Sequence, residues 1–242
     1  MTAFLRILLM LPFLGFTCLA TAQPAHKAKS SHQSADYVNM TFQGHFRAGP
    51  KTHHAKSTDG NLVPTEDFDS LTSMRATLLP DQKMRAKYPN IGDQKNFPNA
   101  RFPEELRSVS VVAFIHAVKL ENGVGKNGKQ ADLDFHLMLG DSAAHGQGKF
   151  FTAEVSGLPP DGVDVNDFKK ARQQLVDLLK NKAKVQAKSF QAKFAQINPP
   201  IKVKVTGSLF FDGDHVAGAV GPAYAKANSV WEIHPVISIE VM

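Results

Sequence analysis

The chain has 242 residues, with 28 lysines and arginines against 22 aspartates and glutamates, which gives a formal net charge of +6. This mild positive balance permits an anionic partner but does not require one. The single cysteine, Cys18, lies in an apolar N-terminal stretch, so the rest of the chain has no disulfide and no thiolate chemistry and depends on its hydrophobic core.

The first 22 residues have the pattern of a secretory signal peptide. Arg6 precedes an apolar run over residues 7–19, and Ala20-Thr21-Ala22 supplies the small residues that signal peptidase needs. The run is too short to span a membrane. A lipoprotein anchor at Cys18 is the alternative, but the bulky residue before it is a poor match to that signal. We therefore predict cleavage after residue 22 and export, either to the periplasm or to the medium, with no transmembrane segment left.

Residues 23–65 are rich in Lys, His, Ser, Gln and Gly, which predicts a flexible leader. Five of the ten histidines lie in this leader: His26, His32, His45, His53 and His54. Their irregular spacing favours a solvated linker over a weak metal-binding tract. In residues 66–106, Asp69-Ser70 is expected to cap a short helix that Pro80 ends, and further prolines follow. We predict that this stretch is an irregular, partly helical strap.

Residues 107–242 show five apolar patterns typical of strands and one typical of a helix. Strands are predicted over Val109–Leu120, Leu133–Leu139 and Lys149–Val155, then with Val203, Val205, Leu209 and Phe211 inward, and finally with Trp231, Ile233, Ile237 and Ile239 inward. A helix capped by Asp164 or Asn166 is predicted from the spacing of Phe168, Ala171, Leu175, Leu178 and Leu179. A second stripe of Phe190, Phe194 and Ile197 is expected to continue it until Asn198-Pro199-Pro200.

The order strand, strand, strand, helix, strand, strand is that of the OB-fold. We therefore predict a mainly β protein with one long helix, an OB-like five-stranded barrel (β-β-β-α-β-β) over residues 107–242, preceded by an irregular N-terminal extension. Gly207 fits a bend at a barrel corner. A small antiparallel sheet with a helix packed on it, or an open α+β domain, is the alternative.

Acids and histidines follow the apolar patterns at three places, in DLDFH, FFDGDH and WEIHPV. The candidate binding residues are Asp134, His136, Asp212, His215, Glu232 and His234, of which Asp212, His215 and His234 are candidate ligands of a divalent metal ion. Such a set suits Zn, Mn or Fe and would activate a water molecule for hydrolysis. The alternatives are structural: an outward polar face, an Asp-Gly turn and a hydrogen-bonded histidine. His116 and His145 are treated as ordinary.

Nucleic acid is a weakly supported partner. OB barrels bind it with exposed aromatic platforms beside basic grooves. Here strand parity turns only Phe114, Phe150 and Phe210 outward, and the lysines of the predicted helix are typical of a solvated face.

Several motifs from residue 96 onward together span more than half of the chain: NFPNARFPEELRSV, ADLDFHLMLGD, EVSGLPP, VKVTGSLFFDGDH and WEIHPV. On these motifs the chain resembles a family of exported bacterial proteins whose chemistry is unassigned. The resemblance implies an exported globular domain and no particular activity. It also implies that the six candidate binding residues are that family's polar motif positions. The strand order is similar to the OB core of thermonuclease-like enzymes, but their active-site pattern of arginines and acids has no counterpart here.

Two functions follow from the sequence. The first is an exported OB-like binding or interaction module for an unknown ligand. The second is a metal-dependent hydrolase, nuclease-like or acting on phosphodiesters, that uses Asp212, His215, Glu232 and His234 with His136 nearby. Neither function fixes an oligomeric state.

Overall fold

The computed structural model describes residues 36–93, 95, 96, 98–122 and 131–242. The predicted signal peptide and residues 23–35 of the predicted leader lie outside these ranges. The strands are β1 (Thr65–Phe68), β2 (Ser108–Leu120), β3 (Phe135–Gly140), β4 (Phe150–Val155), β5 (Ala195–Phe211) and β6 (Ala227–Val241). The helices are α1 (Ala48–Thr52), α2 (Leu71–Ala76), α3 (Asp81–Lys87), α4 (Val165–Leu178) and α5 (Ala187–Ala192), with a 3-10 turn at Pro103–Glu105 and a π-helical turn at Leu179–Ala183.

Five of the strands close into a barrel. The order is β2-β3-β4-β6-β5, and β5 pairs again with β2. The β4–β6 pair is parallel and the other four pairs of the barrel are antiparallel. The short β1 adds to β2 in parallel outside the closed ring. With α4 between β4 and β5, the architecture is the predicted OB-like barrel with one extra strand.

The core follows from the period of two along each strand. Alternate side chains of all five barrel strands point into the barrel and are buried. They include Phe135, Leu137, Leu139, Phe151, Ala153, Val111, Val205 and Ile233. The apolar stripe of α4 is buried as predicted. Its packing against β6 includes a hydrogen bond from the Ile239 amide to the Gln174 side chain (3.0 Å). The capping prediction is not met by Asp164, which precedes the helix without a side-chain capping bond.

Gly207 lies where the β5–β6 register shifts. A β-carbon at this position would collide with the Pro235 carbonyl oxygen and would come within 2.6 Å of the Ile233 side chain. Only glycine permits this approach of two strands, so the predicted irregularity at Gly207 has a steric cause. The shift also places Val236, rather than the predicted Ile237, in the core.

The predicted helix around Phe190 and Ile197 is wrong at its end. α5 stops at Ala192, and β5 begins at Ala195 and runs through Asn198-Pro199-Pro200. The prolines are tolerated because the ladder to β2 is interrupted there, since register pairs resume only at Ile201. The helical spacing of these residues indicates only a local preference, and the long-range pairing of β5 with β2 overrides it.

The prediction of a flexible leader is wrong for residues 36–65. We call residues 36–63 the N-terminal cover, because this segment packs on the outside of the barrel. It contains α1, the buried Phe42 and the buried Arg47. The Phe42 amide donates to the Leu158 carbonyl (2.9 Å), and the Leu158 amide donates to the Met40 carbonyl (2.7 Å). Disorder was predicted because this segment contains few large apolar residues. The cover is held on the barrel instead by polar side chains that pair with buried groups.

Arg47 anchors the cover. Its guanidinium donates to both carboxylate oxygens of Glu105 (2.6 and 2.5 Å), and both side chains are 0% exposed. The guanidinium carbon also lies 4.8 Å from the ring centre of Phe102 and 4.7 Å from that of Phe210. Glu105 in turn accepts from the Phe211 amide (2.8 Å). A buried ion pair of this kind is costly to break, because each charge then lacks compensation.

We therefore expect Glu105→Gln to destabilise the fold by about 3–5 kcal/mol. The matched control is Glu66→Gln, because Glu66 makes the same bidentate ion pair with Arg107 but is half exposed. That control should cost less than about 1 kcal/mol. Urea unfolding of both variants measures the difference, and equal losses would contradict a buried anchor.

Candidate functional site

The polar face of the barrel lies beneath the N-terminal cover. Because inward residues alternate with outward ones, β3, β4 and β6 turn His136, Glu154, Glu232 and His234 to the outside. Outward side chains would ordinarily be solvated, yet Glu154 is 3% exposed and His234 is 0% exposed. The cover therefore converts an outer strand face into a buried layer of charge.

His234 is the centre of this layer. Its Nε2 lies 2.7 Å from the Ser156 hydroxyl and 3.3 Å from Asp134 Oδ2. Its Nδ1 faces Glu154 Oε2 at 3.0 Å and Glu232 Oε2 at 3.6 Å. The imidazole is thus enclosed by three carboxylates, all of them buried. We call Asp134, Glu154, Glu232 and His234 the buried cluster.

Asp134 is positioned by the backbone just before β3. Its Oδ1 accepts a hydrogen bond from the Gly157 amide (2.7 Å). A β-carbon at Gly157 would lie 2.6 Å from the Phe42 nitrogen, so this position needs glycine to let the cover approach. The second carboxylate oxygen, Oδ2, points at His234 and has no hydrogen-bond partner among the described residues.

A line of alternating acids and histidines leads from the cluster to the surface. Glu154 Oε1 lies 2.9 Å from His136 Nδ1, and His136 Nε2 lies 2.9 Å from Glu121 Oε2. The Glu121 side chain is 42% exposed, whereas that of His136 is 13% exposed. Protons and charge can therefore be exchanged between solvent and the cluster through these two residues.

The cover contributes one cation to the layer. Lys51 of α1 places its Nζ 2.5 Å from Asp132 Oδ2, and its carbonyl accepts from the Ser156 hydroxyl (2.5 Å). Burial alone would lower the pKa of Lys51, but the charges of Asp132, Asp212 and Glu154 raise it well above its usual range. The layer therefore keeps this lysine charged at neutral pH.

The pKa values of Glu232 and His234 are shifted because several carboxylates lie close together and are shielded from water. Burial alone would lower the pKa of His234, but the charge of Glu154 and the contacts with Asp134 and Glu232 raise it well above its usual range. Burial and the charge of Glu154 raise the pKa of Glu232 to about 7. Both shifts have the same meaning: the site favours an added positive charge, whether a proton or a metal ion.

Ser156, His234 and Glu154 follow the order of a serine-hydrolase triad, with distances of 2.7 and 3.0 Å. The single hydroxyl proton of Ser156, however, is donated to the Lys51 carbonyl. Ser156 therefore accepts from His234 instead of passing it a proton. This arrangement holds the histidine and does not activate a nucleophile.

Asp212 and His215 form a separate pair at the end of β5. His215 Nδ1 is hydrogen-bonded to Asp212 Oδ2, and the backbone turns through Gly213 as predicted. Register pairs of β5 with β6 put Phe211 opposite Trp231, and the Asp212 amide donates to the Val230 carbonyl (2.9 Å), so Asp212 lies beside the WEIHPV stretch. Asp212 is buried, whereas the His215 side chain is 44% exposed.

Most residues of this site were predicted from the sequence, but Glu154 and Ser156 were not. Asp134, Glu232 and His234 come together, His136 lies one step outward through Glu154, and Asp212 pairs with His215. The missing acid had a signal. Alternation along the predicted strand Lys149–Val155 puts Glu154 on the face opposite to Phe151 and Val155, which is the outer face of its register partner His136. Only the cover, which composition had marked as disordered, makes that face a site.

The cluster meets the first requirement of a metal centre. One possible ligand atom each of Asp134, Glu154 and His234 lies within 4.8 Å of the others, and all three residues are buried. Among the described residues, Asp134 Oδ2, Glu232 Oε2 and His234 Nδ1 have no hydrogen-bond partner. Carboxylate and imidazole donors suit Zn, Mn and Fe.

Two of the three aromatic rings that were predicted to face outward are enclosed by protein, and the third, Phe114, is partly buried. Phe210 is enclosed by Arg47 and His234, and Phe150 packs against His116. Both rings are buried, so neither is available to stack on a base.

Comparison with known proteins adds no relative: no protein-family model, curated protein or solved structure matches the chain. Within the described ranges, no helix is long and apolar enough to cross a membrane.

The Asp212–His215 pair predicts a pH dependence of stability. The hydrogen bond to Asp212 raises the pKa of His215 to about 9, against burial, which lowers it. Since the pKa of an unfolded histidine is about 6.5, the stabilisation is complete below about pH 6.5 and is lost as pH rises through about 9.

We therefore expect His215→Gln to lower the urea midpoint of unfolding at pH 6 and to have little effect at pH 10. His53→Gln is the control, because His53 also contacts one carboxylate, that of Asp161, in an exposed pair. A His215→Gln deficit that grows with pH would contradict the assignment.

Proposed function

We propose that this chain is an exported binding module whose OB-like barrel holds one divalent transition-metal ion at Asp134, Glu154 and His234. The observation that carries the proposal is the convergence of these three buried side chains, with carboxylate and imidazole atoms that lack hydrogen-bond partners among the described residues. Export is supported by the N-terminal pattern alone.

Charge supports a metal ion at this position. Asp134, Glu154 and Glu232 surround one imidazole, and buried carboxylates must be compensated by cations. Without a metal, the imidazole must carry two protons to serve carboxylates on both sides. A divalent ion would supply one more positive charge than that second proton does, and the displaced proton would leave through Glu154, His136 and Glu121.

Geometry sets what binding requires. A four-coordinate zinc ion with bonds of about 2.0–2.2 Å keeps neighbouring ligand atoms about 3.3–3.6 Å apart. The ligand atoms of the cluster, which lie within 4.8 Å of one another, must therefore close by about 1 Å. Asp134 and Glu154 also face different ring nitrogens, so the His234 ring must turn to present one nitrogen to both.

Burial favours binding over catalysis. A metal ion that activates water for hydrolysis needs an open coordination position that a substrate can reach. All three ligands are almost wholly inaccessible beneath the cover. An ion that no substrate reaches, and that stabilises the contact between cover and barrel, suits such a position.

The test is zinc binding by chelator-treated protein, measured by competition with a chromophoric chelator. We expect one equivalent in the cluster, and at least a 100-fold loss of affinity in Glu154→Gln and in Asp134→Asn, since each removes a ligand. Binding should weaken as pH falls, because the proton and the metal compete for His234.

Asp132→Asn is the matched control. Asp132 lies two residues from Asp134 and is paired with Lys51 outside the three ligands, so its variant should retain zinc affinity within a few-fold. Circular dichroism of each variant separates loss of the site from loss of the fold. Folded Glu154→Gln protein that binds zinc as wild type does would refute the metal site.

The hydrolase is the second candidate, and the observation that favours it is the raised pKa of Glu232. A carboxyl group with a pKa of about 7 is suited to exchange protons at neutral pH, and it lies beside the proposed metal ligands.

The activity test uses bis(4-nitrophenyl) phosphate with zinc- or manganese-loaded protein. Because the cluster is closed, we expect wild type and Glu232→Gln to show the same background rate. Metal-dependent turnover that falls at least 100-fold in Glu232→Gln would place the hydrolase first.

A further inference from the structure

Two histidines for which the sequence predicts no role meet on the outside of the barrel. His116 of β2 and His145 of the loop between β3 and β4 place their Nδ1 atoms 3.4 Å apart. The His116 ring is buried, and the His145 ring stands nearly perpendicular to it at an angle of 85°. This pair is distinct from the buried cluster in both its elements and its donor atoms.

We propose that His116 and His145 form a second metal site, which takes a late transition-metal ion such as Cu²⁺ or Zn²⁺ through their two Nδ1 atoms. Metal–nitrogen bonds of about 2.0–2.1 Å at a tetrahedral angle put the two nitrogens about 3.3–3.4 Å apart. The observed separation of the two Nδ1 atoms, 3.4 Å, therefore matches the spacing that one tetrahedral ion requires. Imidazole donors select zinc, copper and nickel over the hard cations.

The orientation of His116 supports metal binding. Its Nε2 lies 2.8 Å from the Ser142 carbonyl, to which it must donate, so in the neutral ring the Nδ1 lone pair faces His145. A backbone carbonyl that fixes the tautomer in this way is the usual outer partner of a metal-bound histidine.

Neighbouring residues hold the two rings in place, and two polar atoms beside them have no hydrogen-bond partner among the described residues. Phe150 packs edge-on against His116 with ring centres 5.0 Å apart, and a β-carbon at Gly140 would lie 2.8 Å from His116 Nε2. Tyr224 stands 5.9 Å from His145 on its other side. Its hydroxyl and His145 Nε2 are buried atoms without hydrogen-bond partners among the described residues.

Electron paramagnetic resonance of Cu²⁺-loaded protein tests the site, because nitrogen splittings count the bound imidazoles. All proteins carry His26→Ala and His32→Ala, which removes competing histidines near the predicted mature N-terminus. At one equivalent of Cu²⁺ we expect a two-nitrogen pattern, whereas the buried cluster offers one nitrogen. The pattern should persist in Glu154→Gln, so failure of the first metal site leaves this test intact.

His145→Gln should abolish the two-nitrogen pattern and weaken Cu²⁺ binding at least tenfold. His145 lies on a solvent-facing loop, so this variant should keep the wild-type urea midpoint. The control is His45→Gln, since His45 is exposed on the cover, and it should behave as the parent does. A two-nitrogen spectrum that survives His145→Gln, or a parent protein that never shows one, would overturn the proposal.

Discussion

The structure depends on one constraint: a layer of acidic and histidine side chains on the outer face of the barrel is shielded from water by the N-terminal cover. Charges removed from water must be compensated where they lie. Lys51 is brought in by the cover, His234 is enclosed by three carboxylates, and His136 links Glu154 to the exposed Glu121. Fold, titration and proposed metal binding are all consequences of this compensation.

The same constraint explains the polar motifs outside the cluster. Arg101 and Glu105 of NFPNARFPEELRSV both bind the cover. Glu105 holds Arg47, and Arg101 donates to carbonyls of the cover (Pro50, 2.5 Å) and of β6 (His234, 3.0 Å). Burial lowers the pKa of Arg101 to about 10, which still leaves it charged at neutral pH. The strap therefore holds the cover to the barrel, and a motif that suggests chemistry serves assembly.

Strand periodicity was sufficient to predict the barrel, because residues such as Phe135, Leu137 and Ile233 alternate cleanly between core and outside. It also predicted which polar residues share the outer face. It could not predict the cover, because disorder was inferred from a shortage of apolar groups, and the buried partners of Arg47 and Lys51 are distant in sequence. The meeting of His116 with His145 was equally hidden, since it depends on how a loop returns to β2.

The central claim is that the buried cluster is a metal centre and not merely an imidazolium held by carboxylates. The most direct measurement is an anomalous difference map at the zinc absorption edge, from crystals of chelator-treated protein reloaded with zinc. We expect a peak bonded to Asp134, Glu154 and one nitrogen of His234, with the ring turned from its present position. Density without that peak, with His234 still between its carboxylates and hydrogen-bonded to Ser156, would contradict it.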